Sequence, residues 1–176
     1  MTNLDDAIGN ASAQELREMF IEGLPLSAKP CMPVKLIDHV LPRKFGDLII
    51  REYCPNHSSI TSPILYFHGG GYVFGGIESH DAWLQFFSAE IGAKIFSLDY
   101  RLAPENKFPS ALQDANHAIE WLGKKLNIQV KEISVCGDSA GGHLATSLST
   151  YRAINKLELP KSQCLIYPMT DPKCDS

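Results

Sequence analysis

The chain has 176 residues, of which 44% are hydrophobic, 20% charged and 9% aromatic, the composition of an ordinary globular domain with a sizeable core. With 16 Lys plus Arg against 20 Asp plus Glu, the net charge of −4 is spread without a basic stretch, which excludes a nucleic-acid binder held by phosphate contacts. No apolar run approaches the roughly eighteen residues of a membrane span, and the start, Met1-Thr2-Asn3-Leu4-Asp5-Asp6, lacks a signal peptide's positive flank and apolar stretch, so a cytoplasmic location is expected.

In chain order, Ser12-Ala13-Gln14-Glu15 opens a predicted helix over 10–23 with a capping-box pattern, and Gly23 and Pro25 end it. Pro25, Pro30 and Pro33 then space out an irregular stretch, so residues 1–33 read as a helical arm on a body spanning 34–176. Two β-rich runs, 34–41 and 47–54, flank Pro42-Arg43-Lys44-Phe45-Gly46 and predict a hairpin. Short apolar runs at 63–67, 94–98, 132–136 and 163–167 alternate with helical segments. That rhythm is the spacing of βαβ units and hence of a parallel sheet. Leu84, Phe87 and Ile91 share one face of the first intervening helix; Leu112, Ala115, Ile119, Leu122 and Leu126 share one face of the second, with Pro109 suited to its first turn. Cys31, Cys54, Cys136, Cys164 and Cys174 make an odd count with no zinc-ligand spacing and are expected to be reduced thiols without a metal.

Two segments carry chemistry. The apolar run Ile133-Ser134-Val135-Cys136 leads into Gly137-Asp138-Ser139-Ala140-Gly141-Gly142 and then a helical stretch, which is G-x-S-x-G in its strand-turn-helix setting, the nucleophile elbow. Such a turn strains the serine backbone and lifts its hydroxyl above the sheet beside a helix N-terminus, where negative charge is favoured. Upstream, a predicted strand ends in His68-Gly69-Gly70-Gly71, whose glycines let backbone N–H groups turn toward a substrate oxygen. Phosphate or dinucleotide binding is the competing use of such a loop, but neither G-x-G-x-x-G nor G-x-x-x-x-G-K-[ST] occurs.

With H-G-G-G and G-D-S-A-G-G in this order, and with the segments Asp99-Tyr100-Arg101-Leu102-Ala103-Pro104-Glu105 and Phe108-Pro109-Ser110-Ala111-Leu112 between them, the chain resembles the hormone-sensitive-lipase-like branch of the α/β-hydrolases over about residues 34–171. The resemblance implies an α/β-hydrolase fold, a mostly parallel sheet with an N-terminal antiparallel hairpin. It also implies carboxylic-ester hydrolysis of small or medium acyl esters without a metal or organic cofactor. It makes Ser139 the nucleophile and Gly70, Gly71 and Ala140 the oxyanion-hole donors, supported by His68, Gly69, Gly137, Asp138 and Gly141. The helix over 10–23 becomes part of a cap.

In that fold the order is serine, then acid, then histidine. After Ser139 the only histidine is His143, which travels with the elbow helix; Asp171 follows the strand next to the elbow and comes too early for the acid. His68 is expected to orient its loop, His80 to sit at a helix start, and His39, His57 and His117 to be surface or packing positions. Asp99, Arg101 and Glu105 read as a buried polar network. The chain is therefore expected to be the N-terminal portion of such an enzyme, lacking the C-terminal strands, the acid and the base, with 163–167 left as an exposed edge. The alternatives are a ligand-binding relative without turnover and a non-functional remnant.

Overall fold

The computed structural model describes residues 11–22, 33–43 and 46–171. Most of the arm expected over 1–33, with its markers Gly23, Pro25 and Pro30, lies outside the described residues, as do Cys31, Cys174, Lys44 and Phe45. The elements run α1 (Ala13–Glu22), β1 (Val34–Leu41), β2 (Leu48–Pro55), β3 (Ile60–Phe67), α2 (Ile77–Ile91), β4 (Ala93–Asp99), α3 (Ser110–Leu126), β5 (Ser134–Asp138), α4 (Ala140–Ile154) and β6 (Ser162–Ile166).

Six strands form one sheet in the order β1-β2-β4-β3-β5-β6. The predicted hairpin forms, with β1 antiparallel to β2 and β2 antiparallel to β4, and the βαβ spacing yields parallel pairing from β4 across β3 and β5 to β6. The strand expected at 132–136 starts two residues later, because Val130–Glu132 closes as a 3-10 turn in which Glu132 Oε2 accepts the Gln129 N–H. Pro109 sits one residue ahead of α3 rather than inside its first turn.

Helices cover both faces, so the inner strands are apolar on both sides, as a parallel sheet requires. Leu65, Phe67, Phe96, Leu98 and Val135 point to one face and meet Ile119 and Leu122 of α3 and Leu144 and Leu148 of α4. On the opposite face Tyr53, Tyr66, Ile95 and Cys136 meet Leu84 of α2, with Phe87 and Ile91 beside it. Among the described residues β6 is an edge strand; Ser162 to Leu165 are exposed, as is Tyr167 just beyond.

The expected capping box forms at α1: Glu15 N–H donates to Ser12 Oγ at 3.2 Å and Ser12 N–H to Glu15 Oε2 at 2.7 Å. Arg17 ties this helix to the body. Arg17 donates from Nε to the Val73 carbonyl (2.8 Å), from Nη2 to the Ala103 carbonyl (3.0 Å), and from both terminal nitrogens to Glu105 (2.9 and 2.8 Å). The bond from Arg17 holds the Glu105 carboxyl at about 2, so the ion-pair part of this tie is complete above the ordinary carboxylate range and is lost as pH falls through about 2, while the bonds to the two carbonyls do not titrate. Arg17→Ala is expected to speed amide exchange across α1 by about tenfold or more while exchange in β3 and β5 is unchanged.

Candidate active site

The strand order reverses direction around β3, whose neighbours β4 and β5 lie on opposite sides, and ligands of open α/β sheets bind beyond the strand ends at such a point. The register Phe67↔Gly137 brings the ends of β3 and β5 level, so the two motifs that follow them adjoin.

Ser139 occupies the single residue between β5 and α4, at φ 50° and ψ −117°, a conformation non-glycine residues rarely adopt. Three backbone bonds hold it there. Its N–H donates to the Ile166 carbonyl at 2.9 Å, and its carbonyl accepts the N–H groups of His143 (3.1 Å) and Met169 (3.0 Å). The end of β6 and the segment after it thus brace the strained turn. Close approach also dictates Gly141: a Cβ there would overlap the Phe67 carbonyl oxygen and stand 2.6 Å from that of His68.

The loop after β3 has Gly70 at φ 119° and Gly71 at φ 59°, with the Gly70 carbonyl accepting from Val73 and Phe74 N–H, both at 3.0 Å. The Gly69 N–H donates to Asp138 Oδ1 at 2.9 Å. Among the described residues no backbone acceptor faces the N–H of Gly70 or Gly71. Ala140 is the first residue of α4, where an N–H has no intrahelical partner.

Asp138, 8% exposed, is the hub of the polar contacts beneath the elbow. Its Oδ1 accepts from Tyr66 OH at 2.7 Å as well as from Gly69, and His80 Nε2 lies 3.3 Å from Oδ1 and 3.4 Å from Oδ2. Burial pushes this carboxyl up, but the bonds from His80, Tyr66 and Gly69 outweigh it and leave the group below the ordinary aspartate value. The pairing with His80 has no local sequence signal, since the two lie far apart in the chain and His80 reads only as a helix-start residue.

His68 is fully buried and stacks on Tyr100 at 4.2 Å between ring centroids. Burial pushes its imidazole down to about 4, so it is neutral near pH 7, and Nδ1–H donates to the Gly69 carbonyl at 2.7 Å. Tyr100 OH donates to the His68 carbonyl at 2.7 Å. His143 Nδ1 is 2.7 Å from Tyr72 OH, which links the elbow helix to the glycine loop. Beside this pair lies a cavity of about 200 Å³ lined by Tyr72, Ala103, Phe108, Leu112 and His143; Ser139 does not line it. No histidine ring nitrogen among the described residues hydrogen-bonds Ser139; His143 reaches it only through its backbone N–H.

The network expected of Asp99, Arg101 and Glu105 is not formed. Arg101 binds the buried Asp114 through Nε and Nη2, Glu105 is half-exposed on Arg17, and Asp99 lies against Gly76. Adjacent positions here face different elements. No three His, Cys, Asp or Glu side chains among the described residues are grouped to hold a metal ion, and no described helix is long and apolar enough to cross a membrane.

The sequence profile of the alpha/beta hydrolase fold matches residues 64–176, and the chain belongs to that family. Its relatives are hormone-sensitive-lipase-like esterases. It is 37% identical over 171 residues to ethyl acetate hydrolase of Pseudomonas putida, covering 92% of this chain and 54% of that one. Against hormone-sensitive lipase of Mus musculus it is 36% identical over 110 residues, 61% of this chain and 14% of the lipase. Among solved structures it is similar to EstE1, a thermophilic carboxylesterase cloned from a metagenomic library, with a TM-score of 0.79 and 39% identity, covering 90% of this chain and 55% of that one. The chain spans about half the length of ethyl acetate hydrolase and of EstE1.

Proposed function

We propose that this chain carries the nucleophile and the oxyanion-binding half of a carboxylic-ester hydrolase acting on small or medium acyl esters. The observation that carries the reading is Ser139 at φ 50°, braced between β5 and α4 and level with a glycine loop whose Gly70 and Gly71 N–H groups have no described backbone acceptor. In this reading Ser139 Oγ adds to the ester carbonyl carbon while the carbonyl π electrons move onto oxygen. The N–H groups of Gly70, Gly71 and Ala140, with the dipole of α4, stabilise that oxyanion. Its collapse expels the alcohol, which takes up the serine proton, and leaves an acyl group on Ser139 for water to remove. The helix α1, tied to the glycine loop through Arg17, belongs to the cap over the acyl group.

Proton transfer needs a base, and among the described residues no histidine ring hydrogen-bonds Ser139. In a related serine-hydrolase mechanism loss of the histidine alone costs about 10⁶ in turnover. The purified chain mixed with p-nitrophenyl acetate is therefore expected to release no more than about one equivalent of p-nitrophenol per Ser139, and Ser139→Ala to remove that release. Multiple turnover that persists in Ser139→Ala would overturn the reading. Stabilisation by small esters with no acylation of Ser139 would favour a ligand-binding relative instead.

A further inference from the structure

We propose that His80 is a positioning residue of this site: it staples the two ends of the glycine loop together through Asp138 and Ser79. Its consequence for ester chemistry rests on the function proposed above.

The loop between β3 and α2 runs through Gly69, Gly70, Gly71, Gly75 and Gly76, residues with more conformational freedom to lose than any others. Oxyanion donors act only if they are aimed before the charge develops, so something must hold such a loop. Two hydrogen bonds mark its ends. At the start, Gly69 N–H donates to Asp138 Oδ1 at 2.9 Å. At the finish, Gly76 N–H donates to Ser79 Oγ at 3.0 Å.

The His80 ring joins these two anchors. Its Nε2 straddles the Asp138 carboxylate at 3.3 and 3.4 Å, and its Nδ1 lies 2.8 Å from Ser79 Oγ. A carboxylate only accepts, so Nε2 carries the hydrogen directed at Asp138. A continuous path therefore runs from Gly69 through Asp138, His80 and Ser79 to Gly76, and the loop itself closes the ring. Nε2 hydrogen-bonds Oδ2, while Oδ1 takes the bonds from Gly69 and Tyr66, so His80 holds the other end of the same carboxylate. The His80 side chain is 11% exposed, its bonds go to Asp138 and Ser79, and its action on Ser139 chemistry is through those two partners.

The unmutated chain, His80→Phe and His80→Gln test the staple by amide and imidazole NMR, with phosphorylation of Ser139 by diethyl p-nitrophenyl phosphate and thermal unfolding measured on the same samples. In the unmutated chain the Nε2–H of His80 is expected to be present, with a nuclear Overhauser contact to the Asp138 side chain. In His80→Phe the Gly69 amide is expected to exchange about tenfold faster, and Ser139 to react about tenfold to hundredfold more slowly, with β3 and β5 core amides still protected. His80→Gln, which keeps a donor toward Asp138, is expected to recover part of both losses. A bare Nε2 in the unmutated chain, an unmoved Gly69 amide in His80→Phe, or equal losses in Phe and Gln variants that merely follow melting temperature would overturn the proposal. If Ser139 of the unmutated chain fails to take up the diethylphosphoryl group, the esterase reading falls, and the Nε2–H and Gly69 signals alone decide whether the staple exists.

Discussion

Replacing Gly141 by alanine is expected to destabilise the protein by about 3 kcal/mol or more, a large share of the 5–15 kcal/mol that holds a typical domain together. A Cβ at this position meets the Phe67 carbonyl oxygen inside contact distance, with the Phe67 carbonyl carbon and the His68 carbonyl oxygen both at 2.6 Å. These are backbone atoms at the end of the central strand β3, so no side-chain rotation relieves the overlap. Either α4 moves away from β3 or the strand end shifts, and both carry Ser139 away from the glycine loop. Alanine in a helix is otherwise favourable by about 1 kcal/mol over glycine, so a loss of this sign and size isolates the steric contribution. Urea unfolding followed by far-UV circular dichroism measures it.

Asp138→Ala is expected to cost about 3–5 kcal/mol, since Tyr66 OH, Gly69 N–H and His80 Nε2–H lose their common acceptor in a buried place. The pH dependence gives a second readout. The carboxyl titrates below its ordinary value in the folded chain, so its contribution is full above the ordinary aspartate range and fades as pH falls through the depressed value. Unfolding free energies measured from neutral pH down through that window should decline more steeply in the parent than in Asp138→Ala. Equal slopes would mean that Asp138 is not the charged hub of the contacts around it.

The parallel strands and the elbow were legible in the sequence because each is a local signal: an apolar run of strand length, then small residues at fixed spacing, then a helical stretch. The hairpin of β1 and β2 was legible for the same reason. Contacts that depend on elements meeting after the chain has folded were not. Arg17 reaches Val73, Ala103 and Glu105, and His80 reaches Asp138, across dozens of intervening residues, and nothing in the neighbourhood of either residue marks its partner. Asp99, Arg101 and Glu105 misled for the converse reason, since nearness in sequence at the end of β4 sends each side chain to a different element. The neutral state of His68 likewise follows from its complete burial, which only the fold supplies.

In the function proposed above, Ser139 is an oriented nucleophile facing a preformed oxyanion site. Intact-mass measurement with peptide mapping, after incubation with diethyl p-nitrophenyl phosphate in the presence and absence of imidazole as an external base, tests it directly. The expected result is a single diethylphosphoryl adduct on Ser139, formed faster with imidazole and absent in Ser139→Ala. Adducts distributed over other hydroxyls at comparable rates, or an adduct that survives Ser139→Ala, would contradict it.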